Sequence, residues 1–119
     1  MTVRELAEQI DLSIVAGEAG LTTEVTFGMV SDLLSNVMGM GDSGAVWVTM
    51  HVHQNIVAVA SLSMLSAVIV AGGADPDGDT IAKAEIEGIP LFTTELSQFE
   101  VCGQIYALGI KGCDEAIYC

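Results

Sequence analysis

Apolar positions recur along this chain at two alternating periods, and the alternation predicts the order of its elements. Thr2 with Glu5 forms a capping-box pattern, and Val3, Leu6, Ala7 and Ile10 then repeat at helical spacing. The chain therefore opens with a short amphipathic helix. Leu12 to Ala16 is a brief apolar run stopped by Gly17, and Gly20 with Thr22-Thr23 makes a second turn before Val25 to Val30. Two short strands fit there. Ser31-Asp32 can cap a helix covering Leu33, Leu34, Val37 and Met38, which Gly39 and Gly41 end.

The second half repeats one pattern three times: an apolar strand, a polar or glycine-containing turn, then a helix. Ala45 to Met50 leads through His51-Val52-His53-Gln54-Asn55 into a helix from about Ile56 to Leu65. Ala67 to Ala71 leads through Gly72-Gly73-Ala74-Asp75-Pro76 into a helix from about Asp79 to Glu87, closed by Gly88. Ile89 to Phe92 leads through Thr93-Thr94 into a helix reaching Leu108, closed by Gly109. Strands alternating with helices of this length mean βαβ units. The expected fold class is α/β, a small three-layer sandwich with a mostly parallel sheet of about five strands. Its domain spans residues 1–110, with a tail over 111–119.

Composition sharpens this picture. The 119 residues are 51% hydrophobic and 16% charged, which suits one ordered domain rather than a disordered chain. The apolar stretch Ile56 to Ala71 approaches the length of a membrane span, but Ser61, Ser63 and Ser66 interrupt it, Asp42 and Asp75 flank it, and Gly72-Gly73 ends it early. A buried helix followed by a buried parallel strand gives the same hydropathy. The opening residues lack a basic region followed by an apolar run, so no secretory signal is expected. Sixteen acidic residues face only Arg4, Lys83 and Lys111, a formal charge of −13. Nucleic acid and anionic membrane surfaces are therefore not expected partners. The three cysteines, Cys102, Cys113 and Cys119, lack C-x-x-C spacing, which points to a reducing, cytoplasmic setting.

In open parallel sheets, ligands sit outside the carboxyl ends of the strands. That rule nominates His51, His53, Asn55, Gly72, Gly73, Thr93 and Thr94, and with Asp32 and Thr49 they form the candidate ligand-binding set. His51 and His53 have the spacing of a metal pair on a strand, with Asp32 or Asp75 as the only third ligands on offer; the simpler reading is a polar strand end with Asn55 as N-cap. Asp75, Asp77 and Asp79 mimic the start of a calcium loop, but Thr80 and Ile86 stand where glycine and glutamate are needed, so they read as helix-capping carboxylates. No metal and no cofactor is expected. Gly72-Gly73 sits between a strand and a helix, where a phosphate could approach, yet neither a G-x-G-x-x-G nor a P-loop pattern is present. Cys102 and Trp47 read as core residues. No set of nucleophile, base and oxyanion donors assembles, so catalysis is not expected.

Several ordered segments resemble the DRTGG domain family: Thr2-Val3-Arg4-Glu5-Leu6 with Val15-Ala16-Gly17, then Val30-Ser31-Asp32-Leu33-Leu34-Ser35, then His53 to Ala60, then Glu87-Gly88-Ile89-Pro90-Leu91. The family is similar to the N-terminal domain of HPr kinase/phosphorylase and recurs beside CBS domains in regulated pyrophosphatases and in some phosphotransacetylases. The resemblance implies a non-catalytic regulatory module with an adenine nucleotide as its ligand. Stand-alone members occur among genes for iron-only hydrogenases, which implies the alternative of an assembly partner, itself a homodimer, that docks an apolar helix face on a redox-enzyme subunit. Where the family is named for Asp-Arg-Thr-Gly-Gly, this chain reads Glu24-Val25-Thr26-Phe27-Gly28. Losing the arginine removes the best bidentate donor for a polyphosphate.

Overall fold

A computed structural model describes residues 1–40 and 44–112. Gly41 as a helix stop, Asp42 as a flank, and Cys113 and Cys119 all lie outside the described residues. Helix α1 spans Val3–Gln9 and begins with the expected capping box: the Thr2 hydroxyl accepts from the Glu5 amide, and the Glu5 carboxylate accepts from the Thr2 amide. The remaining elements follow as β1 Ser13–Ala16, a 3₁₀ turn Glu18–Gly20, β2 Phe27–Val30, α2 Leu34–Met40, β3 Ala45–Thr49, α3 Asn55–Leu62, β4 Ala67–Val70, α4 Gly78–Glu87, β5 Leu91–Thr93 and α5 Gln98–Ala107.

The five strands form one sheet in the order β1-β5-β4-β3-β2. Strands β2 to β5 run parallel, with Met29 opposite Trp47, Val46 opposite Ala67 and Val68 opposite Leu91; β1 pairs antiparallel with β5. The uninterrupted apolar runs of β3 and β4 are explained by cover on both faces. On one face Trp47, Val68 and Leu91 pack against Val37 of α2, Ile56 and Ala60 of α3, and Ala84 of α4. On the other, Val46, Ile69 and Phe92 pack against Val3 and Leu6 of α1 and Val101 and Ile105 of α5. The architecture is thus the three-layer α/β sandwich with a mostly parallel sheet. Trp47 lies fully buried in the first core. Cys102 is half-buried against the second, where burial pushes its thiol pKa up.

Local differences from the expected boundaries have physical causes. Helix α2 runs through Gly39 to Met40, the last described residue before Gly41. Helix α3 ends at Leu62, because Met64 takes a left-handed conformation with φ of 54° that no helix continues through. Strand β5 starts at Leu91 rather than Ile89, since Pro90 has no N–H for a ladder; its carbonyl still accepts from the Val68 amide at 2.9 Å. Among the described residues no helix is long and apolar enough to cross a membrane; the stretch from Ile56 to Ala71 is instead helix α3, a turn and strand β4.

Candidate functional site

Because β2 to β5 are parallel, Val30, Thr49, Val70 and Thr93 close their strands on one rim, and the turns that follow gather there. The three strand-turn-helix units do lie side by side. Yet the rim divides into two halves of different character.

Over β2 and β3 the rim is tied shut around Asp32. Its carboxylate accepts from the Thr49 hydroxyl at 2.8 Å, from the Met50 amide at 2.8 Å and from the Gln98 side-chain amide at 3.2 Å. The Thr49 hydroxyl in turn accepts from the His51 amide at 3.2 Å, and the His51 ring Nε2–H donates to the Asp32 carbonyl. Partial burial pushes the Asp32 carboxyl pKa up, but the hydrogen bonds from Met50, Thr49 and Gln98 and the nearby His51 outweigh it, so the net shift is downward. The sequence pattern offers Ser31-Asp32 as the cap of α2, and the structure divides the pair: the Ser31 hydroxyl accepts from the Leu33 amide at 3.1 Å just before that helix, whereas Asp32 turns toward β3 and α5.

Beside this clamp, the turn into α3 is also self-satisfied. The N-cap position expected of Asn55 falls to Gln54, whose side chain makes no cap bond; the His53 Nδ1 accepts from the amide of Asn55, the first helical residue, at 3.1 Å. The Val52 carbonyl accepts from the Asp77 amide at 3.0 Å and from the Thr80 hydroxyl at 2.6 Å, stitching the turn to α4. Asp77 holds the N-cap position of α4 but its side chain makes no cap hydrogen bond. Gly72 and Gly73 both sit at positive φ, 76° and 74°, which explains glycine at each. Their amides, candidates for holding an anion, are already spent: Gly72 donates to the Leu96 carbonyl at 2.8 Å and Gly73 to the Thr94 carbonyl at 3.0 Å.

Over β4 and β5 the rim opens into a polar basin of about 120 Å³. Gly73, Thr93 and Thr94 line it, together with Asp11, Asp75 and Glu95. The Thr94 hydroxyl accepts from the Leu96 amide at 3.2 Å, but among the described residues the three carboxylates receive no protein donor. No lysine or arginine lines the basin. Of the candidate set, Gly73, Thr93 and Thr94 thus share this basin, Asp32, Thr49 and His51 belong to the clamp, His53 and Asn55 start α3, and Gly72 packs toward Met50. Glu95 is within reach of the strand-end rule, being the next residue after Thr94. Asp11 is not, because its place depends on β1 pairing antiparallel with β5. Gln98 also escapes sequence reasoning; its tie to Asp32 spans 66 residues.

Neither protein-family models nor curated protein sequences match the chain. A solved structure does: the CBS and DRTGG domains of the regulatory region of Clostridium perfringens pyrophosphatase, complexed with its activator diadenosine tetraphosphate. It is similar with a TM-score of 0.69 at 17% sequence identity, over 87% of this chain and 45% of that one. The chain has a DRTGG-like fold. It spans less than half the length of the matched structure, and at this identity the likeness concerns the fold.

Proposed function

We propose that the chain is a regulatory module that binds a small ligand in the basin over β4 and β5 and catalyses no reaction itself. The observation that carries this reading is the unused hydrogen-bonding capacity of Asp11, Asp75 and Glu95 at a stretch of rim that the described residues do not close with their own groups. Polar groups gathered at strand ends and left without protein partners are what a ligand needs for orientation. The neighbour's activator supplies the chemical class, an adenine nucleotide. Carboxylates accept hydrogen bonds from ribose hydroxyls and from an adenine amino group, whereas they repel phosphates. The nucleoside end is accordingly the part that enters, with phosphates left toward solvent.

A non-catalytic role is supported by the state of the reactive groups. Cys102 has its thiol pKa raised in apolar surroundings, the His51 ring is tied to the Asp32 carbonyl, and the His53 ring accepts from the Asn55 amide. Calorimetric titration of the chain with adenosine, AMP, ATP and diadenosine tetraphosphate tests the proposal. Adenosine should bind at least as well as ATP, and silence from all four at millimolar concentration would remove the nucleotide.

A second reading, an assembly partner for a redox-enzyme subunit or a homodimer, draws on one observation. Phe99 and Tyr106 stand on one stripe of α5 at 78% and 58% exposure, and Leu33 is 64% exposed. Light scattering and affinity capture from native lysate distinguish it. A monomer recovered free of stoichiometric partners counts against it.

A further inference from the structure

On the α5 face of the sheet, away from the acidic basin, an apolar cleft of about 120 Å³ opens between the outer strand β2, helix α5 and the segment after it. Val30, Val48 and Ile105 line its walls, with Tyr106 and Lys111 also bordering it. Gly28 contributes only backbone, so the cleft is not filled from that side; a Cβ there would lie 3.6 Å from the Ile105 side chain, ordinary contact distance. The segment after α5 is held in place by the Gly28 amide, which donates to the Lys111 carbonyl at 2.8 Å. That bond fixes the backbone of Lys111 beside the opening. Its ammonium lies 3.8 Å from the centroid of the Tyr106 ring.

Lys111 is one of three lysine and arginine residues in a chain of net charge −13, so a positive group beside an apolar cleft is a local reversal of the molecule's character. We propose that this cleft is a binding site for a small aromatic or branched aliphatic carboxylate, with the apolar end inside and the carboxylate paired with Lys111. The volume sets the size, because an apolar cavity of about 150 Å³ accommodates benzene. The charge sets the class: an ammonium already held over a ring is directed at an anion without ordering a long side chain from scratch. A polyphosphate is excluded by the apolar walls and the single cation. The cleft shares no lining residue with the basin over β4 and β5, so it stands or falls independently of the nucleotide reading.

Methyl-resolved NMR titration of the full chain with phenylacetate tests the proposal, with phenylacetamide as the uncharged isostere. Saturable shifts should appear at the Val48, Ile105 and Ile110 methyls, with a dissociation constant of about 1 mM or tighter. The amide should bind about threefold more weakly than the acid, and Lys111→Gln should erase that difference while shifting signals of the free chain only around Tyr106. Val30→Phe, a substitution at an exposed edge position that crowds the opening, should abolish both titrations. Shifts that scatter over the surface or do not saturate overturn the site. Equal binding of acid and amide, unaffected by Lys111→Gln, overturns the carboxylate. Nuclear Overhauser contacts from residues 113–119 to Val48 or Ile105 in the ligand-free chain also overturn the proposal, since the chain would then occupy the cleft itself.

Discussion

The two halves of the rim are built from similar residues and end in opposite states. Both have a carboxylate and a threonine at a strand end, Asp32 with Thr49 and Glu95 with Thr94. In the first half the carboxylate collects the hydroxyl, a backbone amide and the Gln98 amide, so its Oδ1 is spent on protein donors. In the second the Thr94 hydroxyl accepts from Leu96 while Glu95 receives no donor among the described residues. The difference lies in what stands opposite. Asp32 faces the end of β3 and the start of α5, whose donors need an acceptor, whereas Glu95 shares the basin with Asp75 and Asp11. A strand-end position thus marks where a ligand can bind, but only the hydrogen-bond inventory tells which half is free to do so.

The contrast can be broken most severely through the residue beneath the closed half. Trp47 is fully buried, and its indole N–H donates to the Ser31 carbonyl at 2.8 Å, so it supports the turn that carries Asp32. Trp47→Ala should cost about 3–5 kcal/mol in urea denaturation. A loss below about 1.5 kcal/mol would show that the turn keeps its position without the ring. Trp47→Phe, which keeps apolar bulk but leaves the Ser31 carbonyl without its donor, should lose about 1–3 kcal/mol.

Next in size is a matched pair of substitutions, one in each half. Asp32→Ala removes the acceptor shared by Thr49, Met50 and Gln98 and should destabilise by about 2 kcal/mol, while Asp75→Ala in the open half should stay within about 0.5 kcal/mol. Equal losses would erase the distinction between a clamp and a basin. The same contrast has a pH signature. The Asp32 carboxyl sits below the ordinary aspartate range in the folded protein, so its stabilising contribution is complete above that range and is lost as pH falls through the folded value. Asp32→Asn should therefore flatten the decline in urea midpoint between about pH 5 and pH 2, with little change in slope near neutrality. An unchanged acid limb would mean that other carboxylates carry the acid sensitivity.

How much of this can be read from residue order follows the distance between partners. The Thr2–Glu5 box, the left-handed Gly88 and the buried strands β3 and β4 rest on neighbours a few positions apart, and each is legible. The place of Asp32 is not, because Ser31-Asp32 before an apolar run is also a good helix start, and the competing donors come from Thr49, Met50 and Gln98. The Gly72 and Gly73 amides look free in the sequence for the same reason: their acceptors, Leu96 and Thr94, belong to the next strand-turn-helix unit. Asn55 loses the N-cap position to Gln54, and its own amide is met by a histidine two residues away, because an imidazole nitrogen is an acceptor that cap preferences undercount. The rim itself is legible from the strand-helix alternation; its division into a closed and an open half is not.

Gly73 lines the open half and offers a smaller test. Its φ is 74°, and a Cβ at this position would lie 2.6 Å from a Glu95 carboxylate oxygen. Gly73→Ala should therefore cost about 1–2 kcal/mol in backbone strain and push a flexible side chain into the basin. Stability should fall modestly and adenosine affinity with it; unchanged affinity would place the ligand elsewhere on the rim.

The smallest effect is also the most specific to the open half. Glu95→Gln keeps the size of the side chain and its capacity to accept a hydrogen bond through the amide oxygen, but removes one of three negative charges lining the basin. If the nucleoside enters and the phosphates stay near the opening, adenosine affinity should hardly move, while ATP affinity rises about twofold at low salt. Raising the ionic strength to about 0.5 M should shrink that gain, because charges separated by more than a Debye length no longer sense each other. A gain of the same size for adenosine and ATP would show that Glu95 acts by shape rather than charge. A loss for both would make its carboxylate a direct acceptor for the nucleoside, and would place the ribose or the adenine amino group against Glu95 itself.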